Sequence, residues 1–138
     1  MICRCNCHAE HFSRATCSHC YPLVLFCGSR SWDNQRLVDR LMVQLGNLLN
    51  WRFHVVQGGA RGGDEQAWLA AKKLNVPVTT LKADWRKHGK RAGYLRNITM
   101  LEMQPQYVVA LWDGVSRGTL HTIEKAVGLY RIPTMIVG

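Results

Sequence analysis

Residues 55–64 read Val55-Val56-Gln57-Gly58-Gly59-Ala60-Arg61-Gly62-Gly63-Asp64, two glycine pairs around a cation and closed by a carboxylate. An apolar run leads into the glycines, and helical spacing follows them at Ala67, Leu69, Ala70 and Leu74. The pattern is strand, glycine loop, helix. Glycines let backbone N–H groups come close to a ligand, and a helix start adds partial positive charge. Such a loop suits a phosphate or another anion. The spacing is neither the dinucleotide GxGxxG nor a P-loop, whose Gly-Lys-Ser/Thr ending is absent. The plain alternative is a tight turn that only packs a helix on a sheet.

Other residues point to the same chemistry. Gly28, Ser29 and Arg30 end an apolar run. Arg30 suits bidentate binding of phosphate or carboxylate. Gly118 and Thr119 stand at a predicted helix start, where amides and a hydroxyl can meet an anion, or where Thr119 merely caps the helix. Trp85 can stack on a base, although tryptophan is also an ordinary core anchor. His88 is a further candidate ligand contact, yet a lone histidine is usually structural. Lys90 belongs to a basic cluster, and Arg96 and Asn97 fall on a predicted helix. Asp64 and Glu65 are the acidic candidates beside the glycines. Asp64 can accept hydrogen bonds from ribose hydroxyls, or simply favour the helix N-terminus. Many cations and few carboxylates fit anion binding better than paired-carboxylate catalysis.

Positioning these residues requires alternating elements. The spacing predicts strands over 23–27, 53–57, 78–81, 107–112 and 134–137. A helix capped by Asp33 follows the first strand, with Leu37, Leu41, Leu45 and Leu48 as its apolar stripe. The helix after the glycine loop runs to about Leu74, and another covers about 88–103. Gly118 and Thr119 open the last helix, with Ile123, Ala126 and Val127 on its buried side. Alternation with short links gives an α/β fold, a doubly wound parallel sheet of about five strands with helices on both faces. Crossovers are expected to be right-handed. In such sheets the ligand lies beyond the carboxyl ends of the strands. The loops carrying Gly28-Ser29-Arg30, the glycines, Asp84-Trp85 and Asp113 to Thr119 all fall there.

The chain has 138 residues and a formal charge of +9, enough for one domain plus a small appendage. Lys82, Arg86, Lys87, Lys90, Arg91 and Arg96 concentrate charge in one stretch, either an anion-binding surface or a solvated helix face. No apolar run approaches the roughly 20 residues of a membrane span. No apolar signal region is present either, so a cytoplasmic protein with no membrane partner is expected. Five of the six cysteines lie in the first twenty residues: Cys3, Cys5, Cys7, Cys17 and Cys20, interleaved with His8, His11 and His19. Cytosolic proteins rarely keep disulfides, and Cys17-Ser18-His19-Cys20 is a CxxC pair suited to tetrahedral zinc. Residues 1–22 are thus expected to form a Cys-rich segment with structural zinc on Cys3, Cys5, Cys17 and Cys20. Cys7 and the histidines are alternative ligands. A redox-sensitive tail or an iron–sulfur site is the competing reading.

Several motifs in order resemble the YspA-like branch of the SLOG superfamily. They are Phe26-Cys27-Gly28-Ser29-Arg30, Gly58-Gly59-Ala60-Arg61-Gly62-Gly63-Asp64, Ala83-Asp84-Trp85, His88-Gly89-Lys90, Ala92-Gly93, Arg96-Asn97 with Met100, and Arg117-Gly118-Thr119. The resemblance covers about 23–137 and implies a Rossmann-like domain, taken as 23–138, that binds nucleotides or nucleotide-derived ligands. Related proteins include LOG phosphoribohydrolases, smf-type DNA-processing proteins and sensor domains of bacterial conflict systems. The LOG enzymes use an Arg in an Arg-Lys-x-x-Met stretch, which Arg96 with Met100 is similar to. They also use a Glu three residues after the Gly-Thr pair. Here Thr122 occupies that position, and Glu124 falls elsewhere on the helix. The Pro-Gly-Gly lead-in is replaced by Asp113-Gly114-Val115.

Three functions are expected from these features. The first is capture of a nucleotide or nucleotide-derived ligand through Arg30, residues 58–64, Trp85 and Gly118-Thr119. The second is N-glycosidic hydrolysis with Arg96 and Asp64 as catalytic residues. The third is nucleic-acid binding through the basic cluster. Assembly as a homo-oligomer is compatible with all three.

Overall fold

The computed structural model describes residues 21–138. Five parallel strands lie in the order β3-β2-β1-β4-β5. They are β1 (Leu23–Gly28), β2 (His54–Gln57), β3 (Val78–Thr80), β4 (Tyr107–Leu111) and β5 (Thr134–Val137). The register sets Val24 beside Val55 and Gly28 beside Leu111, with Val109 beside Met135. The chain builds outward from β1 through β2 to β3, then returns to the other side of β1. The order therefore reverses between β1 and β4, which places the crevice of a Rossmann-like sheet there.

Both faces of the sheet are covered. On one face Val24, Phe26, Val55, Val109 and Leu111 pack with residues of α1 (Gln35–Leu48) and α2 (Gly63–Lys73). On the other, Leu25, Cys27, Val56, Val108 and Ala110 meet α4 (Ala92–Glu102) and α5 (Arg117–Gly128). This two-sided burial explains why β1 and β4 are nearly continuous apolar runs, whereas the edge strands β3 and β5 expose Thr79, Met135 and Ile136.

The helices correct several expectations. Asn34, not Asp33, caps α1: its side chain accepts from the Leu37 amide at 3.2 Å. Asp33 instead accepts from Gln66 Nε2 at 3.3 Å. The buried stripe of α1 is Val38, Met42 and Gly46, flanked by Leu41, Leu45 and Leu49, and Leu48 is 74% exposed. Counting leucines rotates the face, because the helix must meet both the sheet and α2. In α2 the buried side is Ala67, Ala70 and Ala71, and Leu69 points outward. In α5 it is Thr119, Thr122, Ile123 and Ala126, leaving Val127 exposed.

The helix expected over 88–103 is broken. A short α3 (Trp85–His88) and a 3-10 turn (Gly89–Arg91) precede α4. Gly89 has φ +58, a left-handed conformation that ends α3 and that residues with a Cβ adopt at a cost. The break lets Trp85 and Lys90 both stand at the carboxyl edge of the sheet.

Candidate functional site

A cleft of ≈ 470 Å³ opens at the switch point. Its floor holds Cys27 and Gly28 from β1, and its walls come from the loops after β1, β2 and β4, the 3-10 turn and helices α2 to α5. Of the residues singled out in the sequence, Gly28, Arg30, Ala60, Asp64, Trp85, Lys90, Arg96, Asn97, Gly118 and Thr119 line it. Gly58, Gly59 and Arg61 line an adjoining groove instead. His88 is exposed at the end of α3 and borders neither cavity.

The glycine loop is not an open cradle of amides. Gly59 N donates to Gln57 Oε1 at 2.6 Å and Ala60 N to Asp64 Oδ2 at 3.2 Å. Gly63 N donates to the Ser29 carbonyl at 3.1 Å. Buried or shielded amides need partners, and here the protein itself supplies them. Gly62 packs against the carbonyls of Ser29 and Arg30, away from the cleft. The close approach that glycine permits is structural: a Cβ on Gly28 would lie 2.6 Å from the Cα of Gly63. The loop therefore docks the start of α2 against the end of β1.

Ser29 has a similar framing role. It is fully buried, and its hydroxyl accepts from the Asp113 amide at 3.0 Å. Its own amide donates to Leu111 O at 2.9 Å. Ser29 thus joins the loops after β1 and β4 and does not line the cleft, as the sequence suggested it would. Asp113 completes the joint. It accepts from Ser31 Oγ at 2.6 Å, Val115 N at 2.8 Å and Ser116 N at 2.7 Å. The Ser31 hydroxyl and then the Ser116 and Val115 amides hold its carboxyl well below the usual range.

Among the described residues, no side chain caps the start of α2 or that of α5. Ser116, the N-cap of α5, makes no side-chain bond to the first turn, although serine there usually does. The Ser116 hydroxyl lies 3.3 Å from Thr119 Oγ1 instead. The first N–H groups of a helix have no intrahelical carbonyl, and this helix start borders the cleft at Gly118 and Thr119. Thr122 also lines the cleft, with Oγ1 donating to Gly118 O at 3.2 Å. Glu124 is exposed and outside it.

Charge around the cleft is uneven. Asp64 is 4% exposed. Burial lifts its carboxyl from 3.8 to about 6, opposed by the Ala60 amide, Arg96 and Arg30. Arg96 donates from Nη1 to Gly58 O at 2.6 Å and from Nε to Asn97 Oδ1 at 3.0 Å. Burial lowers its affinity for a proton, and Asp64 partly restores it. The Arg30 guanidinium stands 5.9 Å over the Trp85 ring, which is 49% exposed. Among the described residues the ion pair formed is Lys73–Asp39 at 2.8 Å, remote from the cleft. Arg30, Lys90 and Arg96 therefore face it without a salt-bridged carboxylate.

Cys27, Gly93, Tyr94, Asp113 and Ser116 join the cleft without having been among the candidate binding residues. Burial, with Asp64 nearby, keeps the Cys27 thiol protonated. Tyr94 packs edge-on to His121 with ring centroids 4.9 Å apart. Its spacing of three from Asn97 puts both on one helix face, a signal that needs the helix start to be known. Asp113 opens the loop after β4 that the switch-point rule places at this edge. The cysteine segment, with its expected ligands Cys3, Cys5, Cys17 and Cys20, lies outside the described residues. Among those described, no group of three or more His, Cys, Asp or Glu could hold a metal. No helix among them is long and apolar enough to cross a membrane.

The strand order and switch-point cleft define a Rossmann-like α/β domain. Residues 22–88 match the family model described as the YspA, cpYpsA-related SLOG family. The Gene 61 protein of Mycobacterium phage D29 is 36% identical over 108 residues, covering 75% of this chain and 86% of that protein. The chain belongs to the YspA, cpYpsA-related SLOG family. DNA processing protein A (DprA) from Streptococcus pneumoniae has a similar fold, with a TM-score of 0.68 at 20% identity. That likeness covers 86% of this chain and 51% of DprA, so the chain spans about half of that structure.

Proposed function

We propose that the cleft captures a nucleotide or nucleotide-derived ligand. The observation that carries this is the start of α5, which no described side chain caps and which opens on a cleft where Arg30, Lys90 and Arg96 have no salt-bridge partner among the described residues. A phosphate fits against the Gly118 and Thr119 amides, where the helix dipole favours negative charge. Trp85 offers a ring face to the base. Asp64, when ionised, accepts from ribose hydroxyls. Family membership agrees with this chemistry. Titration calorimetry with nucleoside 5′-monophosphates and cyclic nucleotides tests it. Binding is expected for at least one member of that panel, weakened about tenfold in Trp85→Ala by loss of stacking. A folded protein that binds none of them rules the reading out.

One observation favours N-glycosidic hydrolysis as the second reading. A buried Asp64 carboxyl near pH 6, close to Arg96, has the character of a proton-transfer group. Against it, the place of a second acid is held by Thr122, whose hydroxyl is engaged with the Gly118 carbonyl. Release of free base, abolished in Asp64→Asn, is the outcome that would favour hydrolysis over capture alone.

We also infer structural zinc on Cys3, Cys5, Cys17 and Cys20, supported by the CxxC spacing alone. Metal analysis is expected to find one zinc per chain, lost in the Cys17→Ser/Cys20→Ser variant.

A further inference from the structure

A second groove of ≈ 400 Å³ adjoins the cleft and shares Arg30, Ala60, Trp85 and Arg96 with it. Beyond those it is lined by Gly58, Gly59, Arg61, Lys82 and Ala83. Its charge differs from that of the cleft. The cleft includes Asp64 and Asp113, whereas the groove has four cations, Arg30, Arg61, Lys82 and Arg96, and no carboxylate. Asp64, which accepts from the Ala60 amide and stands near Arg96, lies on the cleft side, and Glu65 borders Arg61 on another side together with Trp68. None of the four cations forms an ion pair among the described residues. The Gly59 and Ala60 amides are already engaged by Gln57 and Asp64, so an anion in the groove would be held by side chains.

Like charges gathered without counter-ions repel one another, and an anionic group placed among them relieves that repulsion. Arg61 and Lys82 are exposed and have no hydrogen-bond partner among the described residues, and the neighbouring parallel strands β2 and β3 deliver them to the same edge. Trp85 stands on the ridge between the two cavities, where a base stacked on it would have one anion site on each side.

We propose that the groove is a second anion subsite, and that the ligand is a nucleotide with two separate phosphate groups flanking one nucleoside. The first phosphate sits at the start of α5 and the second between Arg61 and Lys82. This rests on the nucleotide reading above and narrows its ligand class.

Titration calorimetry on the full chain would compare adenosine and guanosine 5′-monophosphates with the corresponding 3′,5′-bisphosphates. For at least one base the bisphosphate is expected to bind about tenfold tighter or more, equivalent to about 1.4 kcal/mol. In Arg61→Gln/Lys82→Gln, shown to be folded by its thermal transition, that ratio is expected to fall towards one. Equal affinities in the wild type, or an unchanged ratio in the variant, overturn the proposal and leave the monophosphate site standing. If no nucleotide binds, the nucleotide reading and this proposal fall together. Decathymidylate binding tighter than every bisphosphate, with the same loss in the variant, would assign the groove to a nucleic-acid strand and also overturn it.

Discussion

Asp64 serves two demands at once. As an acceptor for the Ala60 amide it shapes the glycine loop, and as a first-turn carboxylate it suits the α2 dipole. Both favour the ion, yet burial outweighs them and raises its carboxyl to about 6. The fold therefore prefers the protonated acid. That preference contributes fully below the unfolded value of 3.8 and is lost as pH rises through about 6. Asparagine keeps an oxygen for the Ala60 amide and carries no charge. Asp64→Asn should thus gain stability relative to the wild type by up to about 3 kcal/mol between pH 4 and pH 7. Urea unfolding of both proteins at pH 4, 5, 6 and 7 measures this, and a difference that does not change with pH would contradict it. In Asp113 the balance is reversed: hydrogen bonds dominate, and the carboxylate stays ionised to hold the loop after β4.

At the scale of elements, the site depends on how closely α2 can approach β1. Gly28 and Gly63 meet backbone to backbone, and the Leu111 side chain closes the third side. Gly28→Ala forces strand and helix apart and should cost about 1–3 kcal/mol, as overpacking does. Gly128→Ala is the control. A Cβ there meets nothing within 4 Å, and it ends a helix without left-handed geometry. It should be neutral or stabilise by up to about 1 kcal/mol. Chemical denaturation of the two variants separates close packing from a general effect of adding a methyl group. The break between α3 and α4 matters in the same way. One continuous helix would carry Trp85 and Lys90 on a single rod, whereas the turn at Gly89 sends both to the cleft.

The whole molecule carries +9, and two adjoining cavities collect part of that charge beside a half-exposed tryptophan. Exposed cations are screened over about 10 Å at 0.1 M salt and about 3 Å at 1 M. Affinity for a nucleotide should consequently fall about tenfold or more between those conditions. Dissociation constants at the two salt concentrations test this. A salt-independent constant would place the binding energy in the helix amides and the stacked base alone. The all-parallel sheet makes this convergence a global property, since every crossover returns a loop to the same carboxyl edge.

The sequence by itself determined most of the elements and the edge at which the cleft lies. Strands buried on both faces are apolar throughout, and β1 and β4 are legible from that alone. Glycine, capping and charge patterns place four loops at one edge, and Arg30, Asp64, Trp85, Lys90, Arg96, Gly118 and Thr119 meet there. Tertiary structure decided which groups face the cleft. Asn34 displaced Asp33 as a cap, and Val38 and Met42 replaced the leucine stripe, because helix rotation depends on two neighbours at once. Ser29 became a strut between loops, since its hydroxyl met an amide 84 residues away in sequence. In the glycine loop the Gly59, Ala60 and Gly63 amides are taken by Gln57, Asp64 and Ser29, while among the described residues no side chain caps α5. A residue's type sets what it can bind; only the packed fold determines whether the protein has already bound it.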